Sequence, residues 1–183
     1  MAVFISMLRG VNVGAHNRIK MDALRALYQS LGLEDPRTYV QSGNVIFRTK
    51  EKNPSQLAKK IQAALERTLK CSAEVILRTP DEFRNVIANN PFSRRSEIEP
   101  GKLLVNFLSH EPPASAHQAL QSFKRYPEEI HLVGRELYIY FPNGAGKSKL
   151  PWASLARQMK VEGTARNWNS VVKMLEIAEG LER

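Results

Sequence analysis

The chain has 183 residues and one cysteine, Cys71, so a disulfide framework cannot hold it together. Apolar runs such as Leu103-Leu104-Val105 are short, far below the roughly 20 residues a membrane-spanning helix needs. The start, Met1-Ala2-Val3-Phe4-Ile5, has none of the basic residues that open a secretion signal. Together these absences lead us to expect a cytoplasmic protein with no membrane partner. Histidine is scarce. His16, His110, His117 and His131 include no pair three to five residues apart, so neither a metal site nor a cofactor is expected. Carboxylates give no catalytic pair either: Glu97/Glu99 and Glu128/Glu129 look like solvated loop charges. There is no block of like charges, hence no basic tail.

What remains is an ordinary globular composition, 43% hydrophobic and 25% charged. The length suits one large domain or two small ones. The charge is less ordinary. The net formal charge is +9, and residues 1–79 carry 13 Lys and Arg against 6 Asp and Glu. A second basic stretch, residues 137–175, holds Lys147, Lys149, Arg157, Lys160, Arg166 and Lys173 against Glu162 alone. Such a basic surface attracts anions, although many soluble proteins carry one without a specific ligand.

Periodicity then sets the architecture. Ala2–Leu8 reads as a buried strand stopped by Arg9-Gly10. Met21, Leu24, Leu27, Tyr28 and Leu31 recur at helical spacing before Gly32. Residues 38–41 and 45–47 read as strands about the turn Ser42-Gly43. Asn53-Pro54 starts a helix with the apolar stripe Leu57, Ile61, Leu65 and Leu69. Residues 73–78 form a fourth strand, and Thr79-Pro80-Asp81-Glu82 is a capping box opening a short helix.

The order is βαββαβ, and the second half nearly repeats it: a strand at 102–108, a helix at 113–124, a hairpin at 129–133 and 136–141, and a helix at 150–160. A weak closing strand at 161–164 and a last helix beginning near Trp168 follow. We expect an α+β fold of two tandem ferredoxin-like (α/β plait) halves with an extra C-terminal helix. The expected division is 1–79, a linker helix and loop at 80–100, and 101–183.

Split-βαβ topology brings the end of the first strand and the second-to-third hairpin turn to one edge. Here these are Arg9-Gly10-Val11-Asn12-Val13-Gly14 and Gln41-Ser42-Gly43-Asn44, both Gly- and Asn-containing. Two readings stand. The glycines and asparagines satisfy turn geometry, or their backbone amides form an anion-binding concavity completed by Arg9, Arg18 and Lys20. On the second reading Arg9, Arg18, Lys20, Lys147, Lys149 and Arg166 contact phosphate, and Asn12, Gln41 and Asn44 orient the ligand. Charge reversal at Arg9 and Lys20 would then weaken binding more than reversal at Lys59 and Lys60.

Several motifs fail on spacing. Gly146-Lys147-Ser148 is not a P-loop, since Phe141 stands where its first glycine belongs, although phosphate could still meet amides at the following helix start. Gly10 and Gly14 do not make a dinucleotide fingerprint. Val45-Ile46-Phe47 lacks the alternating aromatics of an RNA-recognition sheet. Tyr138 and Tyr140 do alternate; they could stack bases or pack beneath a helix. Cys71 has no catalytic signature and reads as an apolar filler.

Leu8-Arg9-Gly10-Val11-Asn12-Val13-Gly14, then Lys20-Met21, then residues 38–47 with Gln41-Ser42-Gly43-Asn44-Val45 resemble an uncharacterised bacterial family, domain of unknown function 1697. Arg78-Thr79, Asn90-Pro91-Phe92, Ser148-Lys149-Leu150 and residues 164–169 resemble its later motifs. Ala15 stands where the family pattern has a second glycine. The resemblance implies tandem ferredoxin-like halves and brings no catalytic residue. Three functions are therefore weighed: binding of nucleic acid or a phosphorylated molecule, an enzyme on a small phosphorylated or carboxylated metabolite, and a protein-interaction module.

Overall fold

The computed structural model describes residues 1–183. The strands are β1 (Ala2–Leu8), β2 (Glu34–Tyr39), β3 (Asn44–Thr49), β4 (Val75–Arg78), β5 (Leu103–Leu108), β6 (Glu129–Val133), β7 (Glu136–Tyr140) and β8 (Gly163–Asn167). The helices are α1 (Met21–Ser30), α2 (Pro54–Leu69), α3 (Pro80–Ala88), α4 (Ser115–Ala119), α5 (Trp152–Met159) and α6 (Trp168–Glu182). They build an α+β protein with two four-stranded antiparallel sheets, in the orders β2-β3-β1-β4 and β6-β7-β5-β8.

Local chemistry explains the helix ends. Asn53 Oδ1 accepts from Ser55 N and Gln56 N at 3.1 Å, and Pro54 occupies the first turn. Lys70, at φ 51°, ends α2 in the left-handed region. The capping box at α3 is closed both ways. Thr79 N donates to Glu82 Oε2 at 2.7 Å, and Glu82 N donates to Thr79 Oγ1 at 3.2 Å.

The chain divides into two compact units, Met1–Asn85 with Val172–Arg183, and Val86–Val171. Most of α6 thus groups with the N-terminal residues, whereas sequence alone placed it with 101–183. Within that first unit Arg84 of α3 holds Glu179 at 3.1 Å and also pairs with Glu182 and Asp81.

In the first unit Phe4, Leu8, Val45 and Phe47 bury one sheet face in a core with Leu24, Leu27, Tyr28, Leu57, Ile61 and Leu65. Burying each such side chain contributes about 1.5–3 kcal/mol. Cys71 is buried in this core, as its filler reading requires. Ser6 faces the same side, and its hydroxyl meets Tyr28 Oη at 2.7 Å, so neither buried oxygen is orphaned. In the second unit Leu108, Leu137, Ile139 and Phe141 pack with Ala116, Leu120, Phe123, Leu155 and Met159.

Three elements depart from expectation. β2 begins at Glu34 and ends at Tyr39, not at 38–41. It is an edge strand whose register shifts between Glu34 and Arg37, with Asp35 at φ 49°; a charged, Pro36-containing edge carries little apolar alternation. The helix expected at 113–124 is α4 followed by a 3₁₀ turn, Leu120–Phe123. The closing strand lies at Gly163–Asn167 and includes buried Arg166. Gly163 permits its approach: a Cβ there would stand 2.6 Å from Asn106 Oδ1 and 3.0 Å from the Phe107 carbonyl oxygen.

Candidate functional site: a cleft at the edge of the first sheet

The loop after β1 and the β2–β3 turn do meet, and Asn12 joins them. Its backbone sits at φ 53°, a region Asn tolerates. Its Nδ2 donates to Gln41 O at 2.7 Å and Ile19 O at 3.0 Å, while Oδ1 accepts from Ile19 N at 2.8 Å. Asn12 therefore fastens the two loops to each other, and its amide protons are committed. Asn17, also left-handed at φ 50°, donates to Gly10 O at 3.3 Å and Ser72 O at 3.4 Å.

The turn presses against the end of β1. Leu8 N donates to Gly43 O at 2.9 Å. A Cβ on Gly43 would lie 2.4 Å from Val11 Cγ2 and 2.8 Å from Leu8 Cβ, at φ +76°. Only glycine fits such a position. Asn44 is fully buried, donating from Nδ2 to Tyr39 O at 3.1 Å and to Ser42 Oγ at 2.8 Å. Ser42, Gly43 and Asn44 thus build the turn. Val40 is held at φ 50° while half exposed, an outlier for a β-branched residue. Strain of this kind gathers at functional segments.

Beside this junction lies a cleft of about 710 Å³ lined by Asn12, Gly14, Arg18, Ile19, Lys20, Met21, Asp22 and Gln41. Arg18 and Lys20 are exposed, and Arg18 Nε donates to Gly14 O at 3.3 Å. Lys20 is also the N-cap residue of α1, and no side chain caps the helix there. The first turn of the helix, with the positive end of its dipole, thus belongs to the segment that lines the cleft. Asp22, the acidic residue here, is paired with Arg25.

Other expected site residues lie elsewhere. Arg9 is not among the residues that line this cleft: its Nη1 stands 3.7 Å from Glu74 Oε2 and its amide donates to Glu74 O at 2.9 Å. Gly10, at φ +70°, shapes the loop without lining the cleft. Lys147, Lys149 and Arg166 belong to the second unit. Lys147 and Lys149 are exposed. The Gly-rich segment closes on itself, Lys147 N donating to Gly144 O at 3.1 Å and Ser148 N to Ala145 O at 3.2 Å. It does not open onto α5, whose early amides of Trp152, Ser154 and Leu155 bond to Leu150 O and Pro151 O.

Arg166 is buried, with Nη1 donating to Thr164 Oγ1 at 2.7 Å and Ala165 O at 2.9 Å. Burial pushes its pKa down to about 10, which leaves it charged at neutral pH. Tyr138 and Tyr140 form no exposed stacking surface. Tyr138 is buried and donates to Val86 O at 2.7 Å, and Tyr140 is buried against Phe92. No group of three or more His, Cys, Asp or Glu side chains is placed to hold a metal ion. No helix is long and apolar enough to cross a membrane.

Sequence reasoning missed Asn17, Val40, Ile19 and Asp22 at this edge. For Asn17 the one available signal is its residue type, which tolerates the left-handed region; the conformation of Val40 contradicts its own propensity and left no sequence signal.

Fold and loop edge together define a class: an α+β protein with two four-stranded antiparallel sheets of identical strand order and a polar cleft at the edge of the first. The chain belongs to the family described as Protein of unknown function (DUF1697), whose pattern matches residues 1–138. The matched region contains the whole cleft. The fold is similar to that of the conserved bacterial protein SP0830 from Streptococcus pneumoniae, with a TM-score of 0.70 and 19% identity over 97% of this chain and 98% of that one. No curated protein gives a significant match.

Proposed function

We propose that this is a cytoplasmic protein of two tandem ferredoxin-like halves that binds a phosphate-bearing small molecule at the cleft beside α1. The observation that carries the reading is the uncapped N-terminus of α1, flanked by Arg18 and Lys20, in a cleft of about 710 Å³. Helix-start amides and a cationic rim are the chemistry that recognises phosphate. The volume lies in the range of small-molecule sites. A nucleic-acid strand is less well served, because the alternating tyrosines of β7 are buried and supply no stacking surface. Asn12 and Gln41 act by holding the rim in place, and the backbone of the Gly14 turn positions Arg18.

The test is thermal unfolding of the full chain against inorganic phosphate, nucleotides and sugar phosphates. A ligand at 100 times its dissociation constant adds about 2.7 kcal/mol. Arg18→Glu and Lys20→Glu should abolish that gain, and Lys59→Glu, on an exposed face of α2, should keep it. Equal loss from all three would reduce the cleft to part of a general basic field. Salt-steep binding of single-stranded RNA or DNA in place of any small ligand would favour nucleic acid instead.

A further inference from the structure

The second unit holds a separate cleft of about 540 Å³, beside β6 and the 3₁₀ turn Leu120–Phe123. Its floor includes Phe123 and Ile130, and Glu128 lines it. Glu128 is not the solvated loop charge its sequence position suggests. It is 7% exposed, and its Oε2 has no hydrogen-bond partner. A carboxylate withdrawn from water without a partner is unfavourable, and a hydrogen-bonding cation is the chemistry that relieves it. The neighbouring carboxylate is already satisfied, since Glu129 takes two bonds from Arg95, at 2.6 and 3.0 Å.

We propose that this cleft binds an organic cation with one singly charged head, a primary ammonium or a guanidinium, on an apolar stem. The head meets Glu128 at its other oxygen, since Oε2 is itself sealed from solvent, and the stem lies along Phe123 and Ile130. A metal ion is disfavoured because no three ligating side chains converge here. One anionic anchor matches one positive charge. Lys124, exposed in the cleft lining, opposes a second. The site is independent of the phosphate reading, since none of its residues lines the other cleft.

The experiment titrates the full chain with 2-phenylethylammonium, n-butylammonium and n-butylguanidinium up to about 10 mM, the range of weak specific binding. Uncharged 2-phenylethanol and 1-butanol serve as isosteres. Calorimetry gives affinity, and the ring-proton resonances of His117 and His131, which both line the cleft, report location. The expected result is binding of a cation but not of its alcohol, with histidine shifts. Glu128→Gln, which keeps shape and removes charge, should weaken it about tenfold or more, as loss of a charge-assisted bond does. Glu66→Gln, on an exposed face of α2 in the first unit, retains the anchor and should bind as the parent does. Binding of alcohol and ammonium alike, unchanged affinity in Glu128→Gln, no histidine shift, or no binding by any probe would each overturn the proposal.

Discussion

Replacing Gly43 by alanine tests whether the turn's close approach to β1 builds the cleft edge. Two costs add at this position. The φ of +76° places an L-residue in the left-handed region, at about 1–2 kcal/mol. A stiffer unfolded chain returns about 0.4–1 kcal/mol of that. The new methyl also meets Val11 Cγ2 at 2.4 Å and Leu8 Cβ at 2.8 Å. Val11 can rotate, but Leu8 Cβ is fixed to a strand whose amide is bonded to Gly43 O. Overpacking of this kind costs about 1–3 kcal/mol. The sum is about 1–5 kcal/mol.

Gly10→Ala supplies the control. Its φ is +70°, nearly the same, yet a Cβ there meets nothing within 4 Å. Only the conformational part remains, about 0–1.6 kcal/mol after the unfolded-state gain. Urea unfolding followed by far-UV circular dichroism is the assay, because Trp152 and Trp168 both lie in the second unit and would report on that unit instead. A midpoint shift at constant slope measures stability. If Gly43→Ala costs no more than Gly10→Ala, the turn does not bear on β1 and the geometry argued for the cleft is wrong.

Two other perturbations probe the same unit. Val40→Asn keeps a left-handed turn with a residue that tolerates it, and since Val40 is half exposed little packing is lost; a gain of about 0.5–1 kcal/mol is expected in urea unfolding, and a loss would mean that the valine side chain is needed. Burial raises the Tyr28 pKa well above its usual value, so the folded state keeps a proton that the unfolded chain releases, and stability is full below about pH 10 and falls above it. Tyr28→Phe should flatten that alkaline fall in urea midpoints measured from about pH 8.5 to 11.5, a window spanning the unfolded tyrosine pKa; an unchanged slope would place the titration elsewhere.

Much of the fold was readable because its signals are local. The Asn53-Pro54 start, the Thr79-Glu82 box and the apolar spacing of α1 and α2 depend on neighbours within one or two turns. The meeting of the two loops was readable from topology alone. What escaped depends on partners distant in sequence. Asn12 looked like a ligand contact, yet Gln41 and Ile19 consume its amide. The nearness of Arg9 to Glu74, 65 positions on, left no trace in the local sequence. Glu128 looked solvated because two adjacent glutamates before a hairpin usually are; its burial is set by the fold around it. β2 was displaced because an edge strand, bonded on one side only, tolerates charge and proline that hydropathy reads as loop.

The discontinuous make-up of the first unit has a consequence for how the protein is born. Its two segments, Met1–Asn85 and Val172–Arg183, are separated in the chain by the whole of the second unit. During synthesis the N-terminal sheet emerges first and must wait while Val86–Val171 is translated. At about 5–20 residues per second that interval lasts several seconds. Arg84 meets Glu179 and Glu182 only after that interval, when Met174, Ala178 and Leu181 also reach their buried positions. The nascent chain thus carries a first unit that lacks its last helix until Val172–Arg183 is made. A chain halted after Val171 would lack those three buried apolar side chains and the two carboxylates that hold Arg84.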